Sequence, residues 1–184
     1  MKPNTIVKTW ELKTGQQVVV RSIDASDLPV LYQYILDLMA EDTFILRGPM
    51  DSMTMEDEKK YVDGCIAQIE KEDKIHLLAF VDGVFAGSFE VRRGESRKRH
   101  TGCIGISMVK AYRNIGLGKV CMQILIDESK KLGLRLLYLH CFANNPRAIH
   151  VYEQLGFVKC GELPGAYAYQ GGYENEVMMY LSLI

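Results

Sequence analysis

The stretch Arg113-Asn114-Ile115-Gly116-Leu117-Gly118-Lys119 decides how this chain is read. It follows 104–109, an apolar run of strand length, and precedes 120–132, whose apolar residues recur at helical spacing. Two glycines at a strand-to-helix turn let backbone N–H groups come close to an anion. The helix that follows aims the positive end of its dipole at the same point. A diphosphate suits such a place. Taken alone, the glycines also fit a helix cap with close strand–helix packing. Two other phosphate motifs fail here: Val120 follows Lys119 where a P-loop needs Ser or Thr, and Cys121 stands where the dinucleotide fingerprint needs a third small residue.

Working outward, 17–23 predicts a Val-rich strand, and Asp24 or Ser26 caps a helix with Leu28, Leu31, Ile35 and Leu38 on one face. The stretch 41–55 is irregular, broken at Gly48-Pro49. Thr54 precedes a second helix, 55–71. Strands at 75–81 and 84–93 are joined by Asp82-Gly83, a strong signal for a two-residue hairpin. A turn at 94–99 leads to the strand 100–109. Beyond the glycine turn and its helix, Gly133 is a terminator, and 135–142 is a strand. Asn144-Asn145-Pro146 opens a short helix through Ala148, Ile149, Tyr152 and Leu155, and strands at 157–162 and 173–183 finish the chain. Hairpins followed by a strand–helix–strand–helix–strand unit make a mixed α/β chain.

The 184 residues suit one compact domain, with neither repeat nor linker. A net charge of −1 argues against a general nucleic-acid footprint, so no nucleic-acid partner is expected. The local basic cluster Arg92, Arg93, Arg97, Lys98 and Arg99 reads as a solvated hairpin tip or as an attractor for an acidic partner. No apolar run approaches the ~20 residues that cross a bilayer, and 1–15 lacks the apolar segment of a signal peptide. A cytoplasmic location without a membrane partner is therefore expected. The five cysteines are scattered, with no C-x-x-C pair, so neither a metal site nor a disulfide framework is expected.

Two blocks resemble a known family. Ile106-Ser107-Met108-Val109-Lys110-Ala111-Tyr112-Arg113-Asn114-Ile115-Gly116-Leu117-Gly118 resembles the acyl-CoA motif of the GCN5-related N-acetyltransferases (GNAT), Arg/Gln-x-x-Gly-x-Gly/Ala. Asn145-Pro146-Arg147-Ala148-Ile149-His150-Val151-Tyr152-Glu153-Gln154-Leu155-Gly156-Phe157 resembles the same family's "N…A…Y…LGF" segment. The blocks occur in the family's order and spacing, and the likeness runs from about Ile75 to the C-terminus. It implies one GNAT domain over 1–184, divided into an N-terminal extension 1–15, a variable substrate-side half 16–74 and an acetyl-CoA-binding core 75–184. The fold it implies is α/β (α+β): a mixed, mostly antiparallel sheet, splayed between the family's fourth and fifth strands and flanked by helices.

The resemblance also implies the chemistry: acetyl transfer from acetyl-CoA to a primary amine, by direct attack in a ternary complex and without a metal. The acceptor is a small molecule or a peptide or protein N-terminus. Homodimers are common in the family. Met108, Val109 and Lys110 are expected along the pantetheine arm. Arg113, Asn114, Gly116, Leu117, Gly118, Lys119, Val120 and Cys121 are expected at the pyrophosphate. Asn145 matches the asparagine that hydrogen-bonds pantetheine, or it caps its helix. Tyr152 matches the tyrosine aimed at the thioester sulfur, or it packs on a buried helix face. An amine of pKa ~10.4 is only about 0.04% neutral at pH 7, so a general base is valuable. His140 stands where relatives often carry a glutamate; it reads as a base or as a packed histidine. Glu90 is the second candidate, unless it decorates the outer face of an edge hairpin. Cys103 replaces another family glutamate, which motivates the alternative of a catalytically silent acyl-CoA sensor. His76 and His150 read as surface residues. The loop 41–55, with Glu41, Asp42 and Asp51, and the segment 165–173, with Tyr167, Tyr169 and Tyr173, are expected to select the acceptor.

Overall fold

The computed structural model describes all residues, 1–184. One sheet holds every strand, in the spatial order β1-β2-β3-β4-β5-β6-β8-β7. The strands are β1 (Ile6–Glu11), β2 (Gln17–Ser22), β3 (Lys74–Val81), β4 (Val84–Arg93), β5 (Thr101–Met108), β6 (Leu136–Phe142), β7 (Val158–Tyr169) and β8 (Gly172–Ser182). Each neighbouring pair is antiparallel except β5 and β6. Helices α1 (Leu28–Ala40) and α2 (Met55–Glu70) cover one face; α3 (Leu117–Lys131) and α4 (Pro146–Gln154) cover the other.

Local chemistry explains the boundaries. Thr54 and Asp57 form a reciprocal capping box at the start of α2. Asp82 and Gly83 both adopt positive φ (49° and 79°), the geometry a two-residue hairpin needs to match strand twist. The larger core joins Val18, Val20, Leu77, Phe89 and Val91 of the sheet to Leu117, Cys121, Met122 and Leu125 of α3, and α4 adds Tyr152. The smaller core lies under α1 and α2, around Leu31, Leu38, Val62, Ile69 and Leu78.

The structure corrects several expectations. The polar N-terminal extension contains a strand, because Trp10, Thr9 and Lys8 find ladder partners in Val18, Val19 and Val20. The helix after the glycine turn starts at Leu117 rather than residue 120, so the second glycine lies inside its first turn. The strand expected at 157–162 continues to Tyr169, and the segment 165–173 is the tip of a long β7–β8 hairpin.

Phe89 is fully buried in the larger core, so Phe89→Ala leaves a cavity that its neighbours fill only in part. It is expected to cost about 3–5 kcal/mol, read as a lower urea midpoint at unchanged m.

Candidate active site

The register of β5 and β6 creates the site. The two strands pair from Thr101↔Leu136 to Ile104↔Leu139 and then part. Beyond that point Gly105–Met108 pair only with β4, and His140–Phe142 only with β8. The Arg113-to-Lys119 turn and α3 follow β5 on one side of the opening, and the β7–β8 hairpin flanks β6 on the other. Each facing strand edge therefore keeps backbone groups that no sheet neighbour uses, and an extended amide-bearing chain can take them.

At the end of β5 the glycine turn presents its donors. Asn114 and Gly116 adopt positive φ (65° and 82°), and Gly116 occupies the N-cap without any side-chain cap. No backbone N–H from Asn114 to Lys119 donates to another group in the chain. The next N–H, from Val120, is taken by the Gly116 carbonyl at 3.3 Å, and Cys121 turns its side chain into the core. The concentration of free donors therefore lies upstream of the last two residues expected there. A Cβ at Gly118 would sit 2.9 Å from Met108 Sδ, so a side chain there crowds both the turn and the end of β5. Arg113 turns its guanidinium away from the turn. It makes a two-pronged ion pair with Glu41 (2.5 and 2.8 Å) and donates Nε–H to the Met108 carbonyl. This tie fixes the α1–α2 loop to the end of β5, and the Arg113 guanidinium holds the Glu41 carboxyl below the usual carboxylate range. Lys119 donates to Gln154 of α4.

On the α3–α4 face, Tyr152 is buried beside Cys141, and its phenol makes no hydrogen bond within the chain. Burial raises its pKa well above the ordinary phenol value, so the proton stays on oxygen at neutral pH. Asn145 caps α4, its Oδ1 accepting from the Ala148 N–H at 3.2 Å.

The opposite face carries the two base candidates in different company. His140 is the first residue of β6 past the parting. Its Nδ1 lies 2.9 Å from Glu176, which also accepts the Tyr167 O–H at 2.6 Å. These hydrogen bonds keep Glu176 below the usual carboxylate range. Sequence reasoning missed Glu176, since only the β6–β8 register, Cys141↔Val177 and Phe142↔Glu176, brings it beside His140. Glu90 is not on an edge hairpin: β4 lies mid-sheet. Its Oε2 accepts from Lys74 Nζ and from Tyr61 O–H, each at 2.7 Å. The Lys74 ammonium holds it below the usual range against the effect of burial. A carboxylate so engaged is a poor base. His76 is not a surface residue either: it is 1% exposed, with Nε2 2.7 Å from Ser88 Oγ. Cys65, His76 and Glu90 cluster like metal ligands, but the Lys74 ammonium sits among them, 3.1 Å from Cys65 Sγ.

Between α1, α2 and the sheet lies a cavity of about 320 Å³. Leu31, Tyr34, Leu38 and Met53 line it together with Glu58, Tyr61, His76, Ser88 and Ser107. Phe44 of the α1–α2 loop packs against Phe142 and Tyr169, Tyr167 stacks on Phe142, and the Tyr169 phenol donates to the Asp42 carbonyl. Tyr173 stays 80% exposed.

A family model described as Acetyltransferase (GNAT) family matches residues 33–157. The chain belongs to this family. The match takes in both quoted motifs and omits the β7–β8 hairpin that carries Glu176. Among curated relatives, the chain is 36% identical over 72 residues to the ribosomal protein bS18-alanine N-acetyltransferase of Escherichia coli. It is 40% identical over 77 residues to the spermidine N(1)-acetyltransferase of Vibrio cholerae. The two matches cover 39% and 41% of this chain and 49% and 44% of those proteins, so the chain spans about half the length of the curated relatives it matches. A solved structure of a ribosomal L7/L12 alpha-N-protein acetyltransferase in complex with coenzyme A superposes with a TM-score of 0.82. It is 20% identical and covers 96% of this chain and 97% of that one, a likeness of fold. The mixed sheet flanked by helices is the GNAT fold. No helix is long and apolar enough to cross a membrane.

Burial pushes His76 down to about 4. Its unfolded value is ~6.5, so between those pH values the unfolded chain binds a proton that the folded chain refuses. Folding stability should therefore fall as pH drops from about 6.5 to about 4, by up to about 3 kcal/mol from this residue. Urea titrations across that window should show a shallower fall for His76→Gln than for the parent chain.

Proposed function

We propose that this protein transfers an acetyl group from acetyl-CoA to a primary amine, by direct attack within a ternary complex. The observation that carries the reading is the parted β5–β6 edge ending at a run of free N–H groups on the glycine turn. An acyl-CoA matches that layout: its pantetheine arm is an extended amide chain and its pyrophosphate a compact anion. Each N–H at a helix start contributes about 0.3–1 kcal/mol toward an anion, so several must converge. The turn offers its donors as a group. Met108, Val109 and Lys110 would flank the arm, Asn114, Gly116, Leu117, Gly118 and Lys119 would hold the pyrophosphate, and Asn145 keeps its side-chain amide nitrogen free for the arm. The relatives' printed activities, on a ribosomal protein alanine and on spermidine, agree with an amine acceptor.

Acetyl-CoA supplies an activated acyl group on sulfur. The chain supplies the proton transfers. Glu176 accepts from His140 Nδ1–H, which leaves Nε2 unprotonated and free to take a proton from the attacking amine. Tyr152 holds a phenolic proton that it gives to the departing sulfur. Glu90, engaged by Lys74 and Tyr61, is assigned to structure rather than to proton transfer. The Cys103 substitution then removes no needed group, since the base stands on β6. A silent acyl-CoA sensor would bind the same donor and acetylate no amine. The unengaged phenol of Tyr152 and the paired His140 favour turnover.

Three variants test the assignment. Gly118→Asp should lower coenzyme A affinity at least a hundredfold by calorimetry, because it adds a side chain and a negative charge at the turn; unchanged affinity would sink the site. Tyr152→Phe should reduce kcat at least tenfold while coenzyme A affinity moves less than threefold. Glu176→Gln should displace the rising limb of the pH–rate profile; a superimposable profile would remove His140 from the base role.

A further inference from the structure

The cavity under α1 and α2 holds polar groups that the fold does not satisfy. Glu58, on the first turns of α2, is 5% exposed, lines the cavity, and takes neither a hydrogen bond nor an ion pair from the chain. The Tyr34 phenol and His76 Nδ1 line it as well, both buried and without a hydrogen-bond partner. A buried carboxylate left unpaired is destabilising unless something cationic enters. The other charges nearby are accounted for. Lys74 is neutralised by Glu90, and Asp57 is spent on Thr54. Arg47, exposed at the rim, attracts Glu58 through space but forms no ion pair with it, and burial outweighs that attraction and raises the pKa of the Glu58 carboxyl.

Apolar side chains of Leu31, Ile35, Leu38, Ile45 and Met53 make up much of the remaining wall. The cavity reaches β5 at Ser107, next to the parted strand edge, so its occupant can present one end to the acyl group. At ~30 Å³ per water-sized group, the volume accommodates roughly ten non-hydrogen atoms. A nitrogen about to be acylated must lose its proton, and a carboxylate holding that nitrogen would oppose the loss. Glu58 therefore suits a second nitrogen that stays charged.

We propose that the acceptor is a compact aliphatic diamine or triamine, with Glu58 holding the ammonium that is not acetylated. The apolar wall takes the methylene spacer, and the reacting nitrogen lies at the Ser107 end. This rests on the acetyltransferase reading above and deepens it.

The test compares 1,4-diaminobutane with n-butylamine and with the peptide Ala-Gly-Gly as acceptors. The parent chain should favour the diamine by at least tenfold in kcat/KM over either. Glu58→Gln should cut the preference over n-butylamine at least tenfold, mainly through KM. Glu58→Asp should restore part of it, and Asp63→Asn, on the exposed part of α2, should keep it. Calorimetry with 1,4-diaminobutane on the coenzyme A-saturated protein gives a readout independent of turnover and should show weaker binding for Glu58→Gln. Coenzyme A affinity reports that each variant is folded. Equal use of diamine and monoamine, a preference that survives Glu58→Gln, or preferential acetylation of the peptide would overturn the proposal while leaving the acetyltransferase reading intact. Absence of both coenzyme A binding and transfer to any amine would overturn that reading and this one with it.

Discussion

The parting of β5 from β6 after Ile104 and Leu139 is the constraint from which the rest of the site follows. A sheet ordinarily satisfies its own backbone, and this one leaves two facing edges open in its middle. Such an opening persists only where other elements hold the strands apart. Here α3 and the Arg113–Glu41 tie fix the β5 side, and the β8 ladder with the aromatic cluster of Phe142, Tyr167 and Tyr169 fixes the β6 side. The opening also separates two chemical environments. The buried phenol of Tyr152 lies on the α3–α4 face, and the His140–Glu176 pair lies on the opposite face, the one α1 and α2 cover. An acyl group between the strands would meet one on each side.

Buried charge is distributed unevenly. Lys74, Glu90, Tyr61 and Cys65 form a closed network in which the ammonium is neutralised and the carboxylate is doubly engaged. Breaking such a network by removing one partner strands the other. Glu58, on the same cavity wall, has no direct partner; Arg47 at the rim acts on it only through space. The contrast is between a carboxylate that the chain engages directly and one that it leaves without a partner.

The local signals were legible where the backbone itself carried them. The Asp82-Gly83 hairpin, the Thr54 cap, the glycine turn and the two family motifs depend on neighbours in sequence, and the structure reproduces them. The errors fall where partners come from far away. His76 read as a surface residue because a polar side chain in a strand usually faces water, yet Ser88 and the cover of α1 and α2 make its burial tolerable. Glu90 read as an edge residue although the turn at 94–99 leads into the next strand; that strand pairs with β4 and places Glu90 mid-sheet. The N-terminal strand was hidden by its polar composition, since its ladder partners lie on β2.

The sequence by itself determined the family, the mixed sheet and the donor-rich turn, because short-range backbone geometry and motif spacing are written in consecutive residues. Only the tertiary structure decided which acid meets His140 and which acid is left without an ion pair. Glu176 meets His140 through strand register across 36 positions of chain, and Glu58, buried on α2 over the cavity, forms neither an ion pair nor a side-chain hydrogen bond. Those relations are distances between elements, and an unaligned chain carries no local signal for them.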